Sequence, residues 1–69
     1  MRLRNRIKEQ VDNAETNPHA LHLETGVTYR ILHRLYNEDE IPDRTSIGTL
    51  ARIAESLGLR VDDLFTAED

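Results

Sequence analysis

Between Val27 and Asn37 the sequence carries Tyr29, Arg30, His33 and Arg34 and no acidic residue. A guanidinium is a permanently charged, planar fork of hydrogen-bond donors, so this stretch is equipped to hold anions and acceptors rather than to make or break bonds. A second basic group, Arg2, Arg4, Arg6 and Lys8, crowds the first eight residues. The acids gather elsewhere, at Glu38, Asp39, Glu40 and Asp43 and again at Asp62, Asp63, Glu68 and Asp69. The formal net charge of −4 argues against bulk attraction to a polyanion, yet its uneven spread leaves one face free for a negatively charged partner.

Other chemistries find little support. His19 and His22 stand one helical turn apart, but no Cys or acid completes a ligand set with them or with His33, so no metal site is expected. There is no cysteine nucleophile, no glycine-rich phosphate loop and no pair of carboxylates in an apolar setting, so no enzyme and no cofactor or small-molecule ligand are expected. The absence of cysteine also removes disulfides and thiolate metal sites as staples and fits a cytoplasmic location. No apolar run approaches the roughly 18 residues of a membrane span, and the basic start lacks the apolar stretch of a signal peptide.

The positioning elements follow from periodicity and punctuation. With 69 residues the chain makes one domain with a small core. Leu3, Ile7, Val11 and Ala14 predict a helix over about 3–13. Asn17-Pro18 opens a second over about 18–24, with Asn17 as cap and Pro18 in the first turn, and Gly26 provides a left-handed stop. Thr28 caps a third over about 28–36, with Leu32 and Leu35 inward and Asn37 as a left-handed stop. An acidic loop follows, with Ile41 tucked into the core. Ser46 caps a fourth over about 47–57, carrying Ile47, Leu50, Ile53, Ala54 and Leu57 on one stripe and ending at Gly58. Val61, Leu64 and Phe65 predict a fifth over about 61–66, with Asp62 and Asp63 in its first turn. No segment alternates enough to predict a strand, so the expected fold is all-α, five short helices round one core.

The segment Asn17–Asn37, NPHALHLETGVTYRILHRLYN, joins two short helices at a glycine turn, with Leu21, Val27, Leu32 and Leu35 placed to lock their angle. Leu21 and Gly26-Val27-Thr28, followed by Ser46, Thr49-Leu50, Ile53-Ala54, Leu57-Gly58 and Asp62-Asp63-Leu64-Phe65, resemble the Cro and phage-repressor family of helix-turn-helix domains over nearly the whole chain. Three positions depart from that family's usual pattern. Pro18 replaces a phosphate-holding Gln, His22 replaces a small residue at the helix contact, and Glu38-Asp39-Glu40 replaces a basic loop. These bear on affinity and on how closely the two helices pack.

The resemblance implies a lambda-repressor-like fold and a sequence-specific transcriptional regulator that lays residues 28–36 in the major groove of double-stranded DNA. A homodimer on a roughly palindromic site, with half-sites about one helical turn apart, is the implied assembly. Thr28, Tyr29, Arg30, His33 and Arg34 become the base-facing candidates. Arg30 is the one suited to bond guanine O6 and N7, and Arg34 is alternatively a backbone contact. Asn17, Arg2, Arg4 and Arg6 become backbone contacts. The same fold can instead serve as a protein-interaction module, such as an antitoxin or an adaptor. The net negative charge and the apolar Leu23 and Ile31 on outward faces fit that alternative. The acidic tail suits either a complete small regulator or one domain of a longer one.

Overall fold

A computed structural model describes residues 1–69. In chain order the elements are β1 (Arg2–Asn5), α1 (Ile7–Asn13), α2 (Pro18–Thr25), α3 (Tyr29–Asn37), α4 (Ile47–Leu57), a 3-10 turn at Val61–Asp63, and β2 (Phe65–Glu68). The expected all-α, five-helix architecture is therefore corrected. The fold is mostly helical, with four α-helices and a two-stranded antiparallel sheet pairing Arg2 with Glu68, Leu3 with Ala67, Arg4 with Thr66 and Asn5 with Phe65.

Both corrections have a physical cause. Leu3 lies four residues before Ile7, so a strand followed by a helix satisfies the same stripe as one longer helix. In the structure Leu3 reaches the core from an extended segment whose side chains alternate outward and inward. Asn5 then ends the strand, because its Oδ1 accepts from the Ile7 N–H at 2.8 Å and starts α1 there. At the other end, the Asp63 carboxylate accepts from the Arg60 N–H at 2.9 Å and closes a single tight turn. The Leu64 carbonyl, which a continuing helix would need, accepts instead from the Arg6 N–H at 2.8 Å. The chain leaves that turn extended, and the expected helix over 61–66 becomes a turn plus β2.

The interior is wholly apolar: Ile7, Val11, Leu21, Val27, Leu32, Leu35, Ile41, Leu50, Ile53, Ala54 and Leu64 are buried and no polar side chain joins them. Ala14, expected on the α1 stripe, sits just past the helix end and is exposed, while Ile47 of the α4 stripe stands outside the core at 70 % exposure. Ile41 is buried as expected, because residues 39–41 lie along the edge of β1 that β2 leaves open. The Asn5 N–H donates to the Asp39 carbonyl and the Ile41 N–H to the Leu3 carbonyl, both at 2.9 Å.

Polar links join α1 to α3. Tyr36 donates its hydroxyl to Asp12 Oδ1 at 2.5 Å, and Lys8 donates to that hydroxyl at 3.3 Å while lying 4.5 Å from the ring centre. The hydroxyl and the Asp12 carboxylate together hold the Lys8 ammonium above its ordinary range.

Candidate nucleic-acid interface

The start of α2 is set by Asn17, whose Oδ1 accepts from the Ala20 N–H at 2.9 Å, with Pro18 in the first turn where no N–H is needed. Its end is a turn with three polar ties. Thr25 donates its hydroxyl to the Leu21 carbonyl at 2.7 Å and accepts from the Val27 N–H at 3.1 Å. His22 places Nδ1 at 2.7 Å from the Val27 carbonyl, an acceptor that fixes the proton on that nitrogen. Gly26 sits at φ 76°, the left-handed region that a side chain would strain. His22, in place of a smaller residue, thus bridges the turn with a half-buried imidazole.

Beneath the turn, Leu21, Val27, Leu32 and Leu35 are all buried, as the sequence predicts. A helix turns about 100° per residue, so anchoring Leu32 and Leu35 inward aims Arg30, His33, Arg34 and Asn37 outward. Thr28, Tyr29, Arg30, His33 and Arg34 are all exposed. Thr28 occupies the cap position of α3 without a capping side-chain bond, which leaves its hydroxyl available. Asn37 does not take the expected left-handed conformation. It remains the last helical residue, and its amide donates to the His33 carbonyl at 2.7 Å.

The structure exposes these five residues on α3 and its cap, and it brings the start of α2 against them through His19. The His19 ring, in the first turn of α2, meets the Tyr29 ring edge-on at 6.2 Å between centres. The acidic loop does not cover Tyr29 or Arg30. Within it only Glu38 reaches the group, 3.5 Å from Arg34 Nε, in an exposed i,i+4 pair.

Arg2, Arg4 and Arg6 lie elsewhere. Asn5 Nδ2 donates to the Leu35 and Glu38 carbonyls, fastening β1 to the far end of α3, about two turns from Tyr29. Each arginine faces an acid: Arg2 is 3.9 Å from Glu40, Arg4 is 4.0 Å from Glu68, and Arg6 is 3.0 Å from Glu9.

The hydrogen bond from Arg6, reinforced by its charge, holds the Glu9 carboxyl below its ordinary value of 4.5. An acid whose folded pKa is depressed contributes stability above its unfolded pKa and loses it as pH falls through the folded value. Glu9→Gln is therefore expected to be less stable than wild type near pH 7, with the difference closing below about pH 4. Urea unfolding at the two pH values checks this, and a gap that persists in acid would assign Glu9 a role other than its charge.

Arg44 lies outside the two basic groups of the sequence and joins the α3 face only in the fold. A cleft of about 320 Å³ opens beside α3, lined by Ile31, Arg34, Arg44, Thr45, Ser46 and Thr49 among others. Ser46 caps α4 there, accepting from the Thr49 N–H at 3.0 Å. The loop reads as acidic from Glu38 to Asp43, and the signal for Arg44 was its place two residues before a helix cap.

Two short helices fixed at a glycine turn, the second exposing a cationic face, define a helix-turn-helix domain. Comparison with protein families agrees: the model of the Cro/C1-type HTH DNA-binding domain matches residues 6–69. The chain belongs to that family. No curated protein and no solved structure matched it. No helix is long and apolar enough to cross a membrane.

Proposed function

We propose that the chain is a sequence-specific transcriptional regulator that inserts the start of α3 into the major groove of double-stranded DNA. The observation that carries this reading is the exposed set Thr28, Tyr29, Arg30, His33 and Arg34 on a helix with no acid of its own. Arg30 takes the guanine-reading role through its paired donors. Tyr29 meets a thymine methyl or a phosphate, and Arg34 reads a base or grips the backbone.

Asn17 marks where the first N–H groups of α2 approach a phosphate. Arg44 joins the backbone contacts across the cleft from Arg34. Arg2, Arg4 and Arg6 serve flanking phosphates. Their ion pairs are exposed and screened by solvent, weak enough for a phosphate to displace the carboxylate. The Glu38 pair on Arg34 is of the same kind, and its carboxylate competes with phosphate for that guanidinium.

One such module reaches few phosphates, so the protein acts as a homodimer on a near-palindromic site, in the cytoplasm. The reading needs no catalysis, metal or small-molecule ligand. Selection from a random duplex library tests it, and no enriched sequence at low salt counts against it. Arg30→Ala is expected to weaken binding to the selected site about 5- to 150-fold, corresponding to a loss of about 1–3 kcal/mol, and to relax the choice of base at one position. Arg34→Ala is expected to reduce the salt dependence of binding, if its contact is to the backbone. Survival of full affinity in the double variant would show that α3 is not the reading helix.

Leu23 at 71 % and Ile31 at 43 % exposure favour a second reading, in which the fold is a protein-interaction module such as an antitoxin or adaptor. In that case the double arginine variant keeps its partner, and binding does not weaken steeply with salt.

A further inference from the structure

The rings on the reading face form a row that crosses from one helix to the next. His22 and His19 lie 6.4 Å apart between ring centres, His19 and Tyr29 6.2 Å, and Tyr29 and His33 5.8 Å. His19 and His33 are exposed on either side of Tyr29, whereas His22 is half-buried and committed to the Val27 carbonyl. We infer that this face takes up protons when it binds DNA, with His19 and His33 carrying them. The inference rests on the DNA-binding reading and adds to it a positioning role for His19, which holds the edge of the Tyr29 ring.

The surroundings supply the driving force. Arg30 and Arg34 are the charged residues of α3, and α3 has no acid. Three acids of the neighbouring elements have partners of their own. Glu24, the one acid of α2, accepts from the Ser56 hydroxyl and lines the α2–α4 side with Arg52 and Glu55. Glu38 faces Arg34, Asp12 faces Tyr36 and Lys8, and Glu15 precedes α2 in the loop.

An imidazolium added to this face in the free protein stands among like charges. On DNA it stands in the negative potential of the duplex. Binding therefore favours the protonated ring, and by linkage protonation favours binding. Histidine ordinarily changes charge between about pH 5 and 8, so the effect falls where carboxylates stay ionised.

The test uses the whole chain and a fluorescent pool of random duplexes of about 20 base pairs, long enough for two half-sites. Affinity is measured at fixed low ionic strength from pH 7.5 to 5.5, over the range where circular dichroism shows each variant folded. Wild type is expected to bind more tightly as pH falls, by up to about tenfold for each histidine whose pKa rises one unit on the complex. His19→Gln with His33→Gln is expected to flatten that slope, and Arg30→Ala to bind more weakly while keeping it. NMR titration of the imidazole protons is expected to show both rings protonating at higher pH with duplex than without. A flat wild-type profile, or an unchanged slope in the double histidine variant, overturns the inference while leaving DNA binding intact. Absence of binding at every pH overturns the DNA-binding reading on which it rests.

Discussion

Ile53→Ala is expected to lower the free energy of unfolding by about 2–5 kcal/mol. Ile53 is 0 % exposed, in the middle of α4 where that helix faces α2 and the turn at Val61–Asp63. Removing three carbons there loses their transfer free energy and leaves a cavity in a core of only eleven residues. Ala has the better helix propensity, but that returns only about half a kcal/mol. A chain of 69 residues has about 3–10 kcal/mol of stability in all, so this one change removes much of it. Thermal unfolding is expected at least about 10 °C below wild type. Ile53→Val, which keeps most of the volume, is expected to cost only about 0.5–1.5 kcal/mol. If Ile53→Ala cost less than about 1 kcal/mol, the packing of α4 described above would be wrong.

The second large effect is expected at Asn5, whose one side chain touches three elements. Its Oδ1 accepts from the first N–H of α1 at 2.8 Å, and its Nδ2 donates to the Leu35 carbonyl at 2.5 Å and the Glu38 carbonyl at 2.9 Å. Asn5 thus starts one helix, satisfies free carbonyls at the end of α3, and ties both to β1. Asn5→Ala removes all three bonds and is expected to cost about 2–4 kcal/mol, since each bond contributes about 1 kcal/mol and the abandoned groups are partly desolvated. Asn5→Asp separates the roles. It keeps the acceptor for α1 but takes both donors from α3 and turns a carboxylate toward two carbonyl oxygens. It is expected to cost about 1.5–3 kcal/mol, because the α1 bond survives. Urea unfolding of the two variants measures the difference. An Asn5→Asp protein within about 0.5 kcal/mol of wild type would mean the link to α3 does not hold the helix.

The features legible in the sequence are those decided within a few residues. Asn17 and Ser46 cap α2 and α4, and Gly26 and Gly58 turn left-handed after them, because each needs only its own neighbours. The exposed set on α3 was legible for a related reason: once Leu32 and Leu35 are inside, helical geometry aims Arg30 and Arg34 out. The misses involve distant partners. Leu3 pairs with Ala67, and a four-residue strand carries too short an alternation to be seen alone. Asn5 reads as an ordinary polar residue until the Leu35 and Glu38 carbonyls arrive beside it. Asn37 looked like a stop but stayed helical, because its side chain found the carbonyl one turn back. His22 reads as a larger residue at the helix contact, and its bond to Val27 becomes visible only when the turn is folded.

The register of β1 on β2 has a kinetic consequence. Bringing Leu3 beside Ala67 closes a loop that spans nearly the whole sequence, while each helix forms from near neighbours. The entropy of that closure is lost before its hydrogen bonds form, so the ribbon is expected to zip up late, after the helices have formed. On that order, α3 is expected to reach its final orientation in two stages. The glycine turn sets its angle early, and its far end is fastened only when the late ribbon delivers Asn5.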